Sequence, residues 1–127
     1  MATYNIPPVA KPRMTQRDKW AKRPAVMKYR QFCDRVRSAR MQLYPCGLHI
    51  TFVVPMPDSW PERKKVAFDG QPHQQRPDLD NFIKAVFDAV YSEDSHIWDA
   101  RATKLWGREG RIIVEQQNGT ATPPAQC

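Results

Sequence analysis

The chain has 127 residues, with 20 Lys and Arg against 13 Asp and Glu and a formal net charge of +7. That length suits one domain able to bury roughly two-thirds of its unfolded surface, and an apolar fraction of 41% excludes wholesale disorder. No apolar run approaches a bilayer span and no secretory signal opens the chain, so a cytoplasmic protein, not a membrane one, is expected.

In chain order, a short strand is expected at Tyr4–Pro8, closed by two prolines, and residues 9–23 read as an irregular basic arm. From Pro24 to about Leu43, Val26, Tyr29, Phe32, Cys33, Val36 and Ala39 recur at helical spacing. Pro24 suits the first turn of that helix. Leu48 to Val54 alternates as a strand, with Leu48, Ile50, Phe52 and Val54 on one side and His49, Thr51 and Val53 on the other. Ser59-Trp-Pro-Glu62 has the form of a capping box, which predicts a short basic helix to about Phe68 with Gly70 beyond its end. Gln71 to Pro77 is a polar connector. Residues 80–91 form a second strong helix, with Phe82, Ile83, Val86, Phe87 and Val90 as its apolar stripe.

After the acidic turn Ser92-Glu93-Asp94, a strand is expected from about His96 to Trp106, then a hairpin turn at Gly107–Gly110 and a returning strand at Ile112–Gln116. Residues 118–127 read as a tail. Together these elements predict one α+β domain over 1–117, a small mixed or antiparallel sheet with helices packed on one face. Cys33, Cys46 and Cys127 are odd in number and include no C-x-x-C pair, so neither a structural zinc site nor a disulfide framework is expected, and a reducing compartment is the simpler reading.

The charge is unevenly spread. Residues 1–42 carry a net +9, whereas residues 78–99 carry a net −5. A basic chain points to an anionic partner, nucleic acid first. An acidic island within it repels itself and phosphate alike unless a cation sits between the carboxylates.

That island begins at Arg76-Pro-Asp78-Leu-Asp80-Asn-Phe-Ile-Lys84. If the backbone stays extended through Leu79, Asp78 and Asp80 project to the same side and Leu79 points inward. Asp80 would then stand at or beside the helix N-cap. Two carboxylates so placed suit magnesium, which takes oxygen ligands and keeps several waters. A third is expected from elsewhere in the fold, Asp94 first and Glu93 as its substitute. Lys84, one turn beyond Asp80, would face the same groove. Phosphodiester hydrolysis gathers negative charge on phosphate oxygens, which a metal ion and a neighbouring lysine stabilise, and the metal also activates water near neutral pH. An aspartate at a helix start is also an ordinary cap, and Asp80–Lys84–Asp88 an ordinary ion ladder. The combination with a downstream acidic turn and a basic remainder favours the nuclease reading.

For phosphate contact the arm residues Lys11, Arg13, Arg17, Lys19, Lys22 and Arg23 come first, Lys64 and Lys65 second, and Arg76 stands beside the aspartates. His49, His73 and His96 read as structural, since magnesium seldom takes imidazole. Trp98 and Trp106 read as packing or dimer surface, Phe82 and Phe87 as core, and Asp99 as surface.

The run Asp78-Leu-Asp-Asn-Phe-Ile-Lys-Ala-Val-Phe-Asp-Ala-Val90, followed by Glu93-Asp-Ser-His-Ile97, resembles the RusA-type Holliday junction resolvases. Lys11-Pro-Arg-Met-Thr15 and Gly70-Gln-Pro-His73 look like phage and prophage members. The resemblance implies that Asp78, Asp80 and Asp94 hold Mg²⁺ (Mn²⁺ as a substitute) and that Lys84 is the essential lysine. It also implies a homodimer that binds four-way DNA junctions and nicks two opposed strands symmetrically. Where some members carry an arginine run before the D-x-D, Pro77 here leaves only Arg76, and Glu93-Asp94 stands where two aspartates are common. The alternatives are a non-catalytic basic DNA-binding module and a metal nuclease acting on flaps or forks.

Overall fold

Leu48–Pro55, the most continuously apolar strand of the chain, lies inside the sheet with a neighbour on either side. The computed structural model describes residues 2–12, 24–91 and 97–116. Its elements are β1 (Ala2–Tyr4), α1 (Pro24–Ser38), β2 (Leu48–Pro55), α2 (Glu62–Phe68), α3 (Leu79–Val90), β3 (Ala100–Gly107) and β4 (Arg111–Gln116). The sheet has the order β1-β4-β2-β3. β2 pairs parallel with β3, placing Ile50 beside Ala102 and Phe52 beside Lys104. It pairs antiparallel with β4, placing Ile50 beside Val114 and Phe52 beside Ile112. The sheet is therefore mixed.

One face of that sheet carries Leu48, Ile50, Phe52, Ile112 and Val114, all packed in a single core with α1 and α3. From α1 come Tyr29, Phe32, Cys33 and Val36, and from α3 come Phe82, Ala85, Val86, Phe87 and Ala89. Phe82 stacks on Phe52 with ring centroids 5.4 Å apart, which seats α3 on the middle of β2. Arg37 Nε donates to the Ala89 carbonyl at 3.1 Å, satisfying an oxygen in the last turn of α3 that the helix itself leaves open. This is the expected arrangement, an α+β sheet with helices on one face.

Four local expectations are corrected. The first helix stops at Ser38, short of Leu43, because Arg40 turns left-handed (φ 56°) while the Met41 amide bonds back to Val36 O. The Ser59 capping box does not form: α2 starts at Glu62 behind Pro61 without a side-chain cap bond. Most consequentially, β3 and β4 are not a hairpin. They flank β2 on opposite sides, and residues 108–110 carry the chain across its end. β1 is also earlier than expected, at Ala2–Tyr4. The predicted tail at 118–127 lies outside the described residues.

A fifth extended segment borders β3. Pro72 bridges Leu105, and backbone bonds join Gly70 N to Trp106 O, Trp106 N to Gln71 O and His73 N to Lys104 O, each at 2.9 Å. The polar connector thus covers the edge of β3 that would otherwise be unpaired.

Candidate metal and nucleic-acid site

The connector delivers the two aspartates to the start of α3. Arg76–Pro77 is a cis peptide bond. Asp78 is the N-cap of α3, with extended backbone (φ −67°, ψ 149°) and no side-chain cap bond. Asp80 already lies in the first helical turn. The expectation that alternation along an extended chain aligns the two carboxylates is therefore corrected, since the helix begins at Leu79, between them. Leu79 and Ile83 pack against the core, and the burial of Phe82 fixes the helix's rotation.

Asp78 and Asp80 are both exposed. Lys84 Nζ stands 3.9 Å from Asp80 Oδ2, one turn along the same helix, with both side chains more than half exposed. The i,i+4 spacing brings the two within ion-pair reach. Among the described residues, no three of His, Cys, Asp or Glu come together as a metal-holding group. Glu93 and Asp94 lie outside the described residues, as do His96 and the arm residues Arg13, Arg17, Lys19, Lys22 and Arg23.

The remaining basic candidates are placed differently from one another. The Lys11 amide donates to Asn81 O at 3.1 Å and its ammonium pairs with Asp88, so the start of the arm is tied along α3. Lys64 Nζ sits 4.0 Å over the Trp60 ring, and Lys65 lies half-buried on α2. Trp60 in turn contacts Phe68 (5.4 Å) and Trp106 (4.8 Å). Arg76 is exposed beside the aspartates. Trp106 is a packing residue, whereas Trp98 is 65% exposed. His49 lies on the sheet face away from the helices, its Nε2 2.9 Å from Thr103 Oγ1. Asp99 is exposed and accepts a hydrogen bond from the Gly47 amide at 3.0 Å.

Of two further residues near the site, Lys104 was not singled out from sequence and His73 was read only as structural. Lys104 occupies the helix-facing side of β3, beside Phe52. Its Nζ donates to the carbonyls of Gln75 and Pro77, at 2.7 Å each. A lysine in the inward register of a strand was the available signal. His73, read as a structural connector residue, is 5% exposed, meets the Trp106 ring at 4.1 Å with the planes tilted by 47°, and leaves Nδ1 buried without a hydrogen-bond partner. Burial, with Lys104's charge second, holds its imidazole below the ordinary histidine range.

The sequence matches the family model described as Endodeoxyribonuclease RusA over residues 5–116. It is 31% identical over 78 residues to "Uncharacterized protein YqaN" of Bacillus subtilis (strain 168), the alignment covering 55% of each chain. The chain thus spans about half the length of the curated relative it matches. No solved structure gives a significant match. Among the described residues, no helix is long and apolar enough to cross a membrane.

Proposed function

Since the chain belongs to the endodeoxyribonuclease RusA family, we propose that it is a Mg²⁺-dependent homodimeric endonuclease that resolves four-way DNA junctions by paired symmetric nicks. One observation carries this reading: a family match over residues 5–116 that contains a D-x-D at the start of α3, with Lys84 3.9 Å from Asp80. The donor set fits a hard divalent cation. Asp78 and Asp80 offer exposed carboxylate oxygens, and those of Asp78 are not committed to capping α3.

Asp78 and Asp80 would hold the ion, with Asp94 as the third carboxylate. Bound there, Mg²⁺ supplies Lewis acidity and lowers the pKa of water. Asp80 orients the Lys84 ammonium, and Lys84 offsets the negative charge that develops on the scissile phosphate. Arg13, Arg17, Lys19, Lys22 and Arg23, with Lys64, Lys65 and Arg76, supply sequence-independent phosphate contacts. Lys11 does less of this, because its ammonium already pairs with Asp88. A two-fold dimer presents paired sites to a two-fold junction. The protein would act in the cytoplasm of a bacterium or phage-infected host.

The test is a synthetic four-way junction incubated with Mg²⁺ or with EDTA, alongside flap and duplex substrates. Paired nicks that need the metal are expected. Asp80→Asn is expected to keep junction affinity while cleavage falls more than about a hundred-fold, since ion stabilisation of the transition state is worth several kcal/mol. Wild-type cutting by that variant would contradict the metal assignment. Binding without cleavage in every condition would select the non-catalytic module.

A further inference from the structure

The geometry points to Lys104 as the positioning residue that sets Asp78 relative to Asp80, and so tunes the affinity of the D-x-D for its divalent cation. This inference rests on the function proposed above and concerns a residue outside its catalytic set. Asp80 lies inside α3, whereas Asp78, its N-cap, is where the chain passes from the β3-bordering segment into the helix. Asp80 is carried by α3, which Phe82 anchors on β2. Asp78 stands at the end of the segment that borders β3. Asp78 is tied to α3 at its own carbonyl, which accepts the Asn81 amide at 3.1 Å, but the backbone entering it from Pro77 is set by the attachment of that segment to the sheet.

Along its first half the attachment is a backbone ladder: Gly70 and Gln71 to Trp106, and His73 to Lys104. Beyond His73 the remaining ties to β3 come from the Lys104 side chain. Its ammonium takes the carbonyls of Gln75 and Pro77, and its own carbonyl takes the His73 amide. One residue thus grips the segment at alternate positions 73, 75 and 77, and the last grip falls on the residue directly before Asp78. Among the described residues Lys104 forms no ion pair. A cation beside hydrogen-bonded carbonyls is a stronger tie than a neutral donor gives. Groups that orient metal ligands in this way typically change metal affinity by about ten- to a hundred-fold when removed.

The experiment compares the full-length wild type with Lys104→Met, which keeps the stem and removes the donors, and Lys104→Arg, which restores them. Mn²⁺ binding is measured by calorimetry without DNA. Junction affinity is measured in EDTA, and cleavage as a function of Mg²⁺. Lys104→Met is expected to weaken Mn²⁺ binding and raise the Mg²⁺ needed for half-maximal cleavage by at least about ten-fold. Its maximal rate at high Mg²⁺ and its metal-free junction affinity should stay near wild type. Lys104→Arg should recover most of the loss. Unchanged metal dependence in Lys104→Met overturns the inference. So does a loss of junction affinity in EDTA with metal binding intact, which would make Lys104 a phosphate contact.

Amide hydrogen exchange at Gln74–Asp78 separates this inference from the function it rests on. If the wild type binds no metal and cuts nothing, the nuclease reading fails, yet faster exchange there in Lys104→Met still demonstrates the clamp. Unchanged exchange removes it. Should Lys104→Met not fold, Lys104→Gln keeps a shorter, uncharged donor group and is expected to show the same changes at smaller amplitude; wild-type values in it overturn the inference.

Discussion

At Arg40 the backbone adopts φ 56°, a conformation that an L-residue with a Cβ reaches only at a cost. The Arg40 amide bonds to Arg37 O and the Met41 amide to Val36 O, a Schellman closure in which glycine ordinarily holds the left-handed position. Met41 is buried just beyond it, which locks the turn. Arg40→Gly is therefore expected to raise stability by about 0.5–1 kcal/mol, read as a higher denaturation midpoint; a lower midpoint would show that the arginine side chain contributes more than the backbone strain removes. The same residue explains why the end of α1 was illegible. No glycine marks the stop, and the helical spacing runs on to Ala39. His73 poses the opposite problem, a polar residue in a polar connector whose burial only the tertiary fold creates. Burial, then Lys104's charge, makes its protonation harder in the folded state than in the unfolded one. The unfolded chain takes up that proton as pH falls through the ordinary value of about 6.5, so it binds more protons than the native state and stability drops on acidification. His73→Gln should show a shallower loss of stability between about pH 7.5 and pH 5.5 than wild type in paired denaturant titrations. Parallel profiles would mean that His73 does not carry the dependence.

Among the elements, α1, β2 and α3 were legible because each carries its own period. Val26, Tyr29, Phe32, Cys33 and Val36 bury one helical face, Leu48, Ile50 and Phe52 one strand face, and Phe82, Val86 and Phe87 another helical face. Strand pairing was not legible, because a turn signal says where a chain reverses and not which strand it reverses beside. Glycines at 107 and 110 suggested a hairpin, but their structural reason is the crossing over β2. A Cβ on Gly107 would stand 2.3 Å from Val53 Cγ1. On Gly110 it would stand 2.7 Å from Pro7 Cα and 3.2 Å from Pro55 Cδ, pressing on backbone of the segment that follows β1. Gly110→Ala is thus expected to destabilise the fold by about 1–3 kcal/mol, as overpacking does where neighbours cannot yield. Thermal melts would show it, and an unchanged Tm would mean that Pro7 moves freely. The D-x-D was legible as a motif and its lysine by helical spacing, whereas its geometry was not: α3 starts one residue too early for alternation to apply.

Over the whole molecule the sign of charge divides the chain. Residues 1–42 carry +9 and residues 78–99 carry −5, and the two regions meet where Lys11 pairs with Asp88 and α1 packs on α3. α1 adds exposed Lys28, Arg30 and Arg35 to the basic side. Under the proposed function this division separates two tasks, since phosphate attraction by the basic region leaves the acidic one free to take a cation. Binding should then be governed by counterion release, with log affinity falling linearly in log salt. Lys19 and Lys22 belong to the arm and lie outside the described residues. Reversing both, Lys19→Glu with Lys22→Glu, is expected to weaken junction binding and flatten the salt slope by about two, roughly one for each phosphate no longer neutralised. The same variant should bind Mn²⁺ in the absence of DNA as wild type does, because the basic arm and the acidic island act on different ligands. Gel-shift titrations across a salt series check the first expectation and calorimetry the second. Unchanged affinity and slope would take the arm out of the DNA interface, whereas a matching loss of Mn²⁺ affinity would show that arm and island are one electrostatic unit.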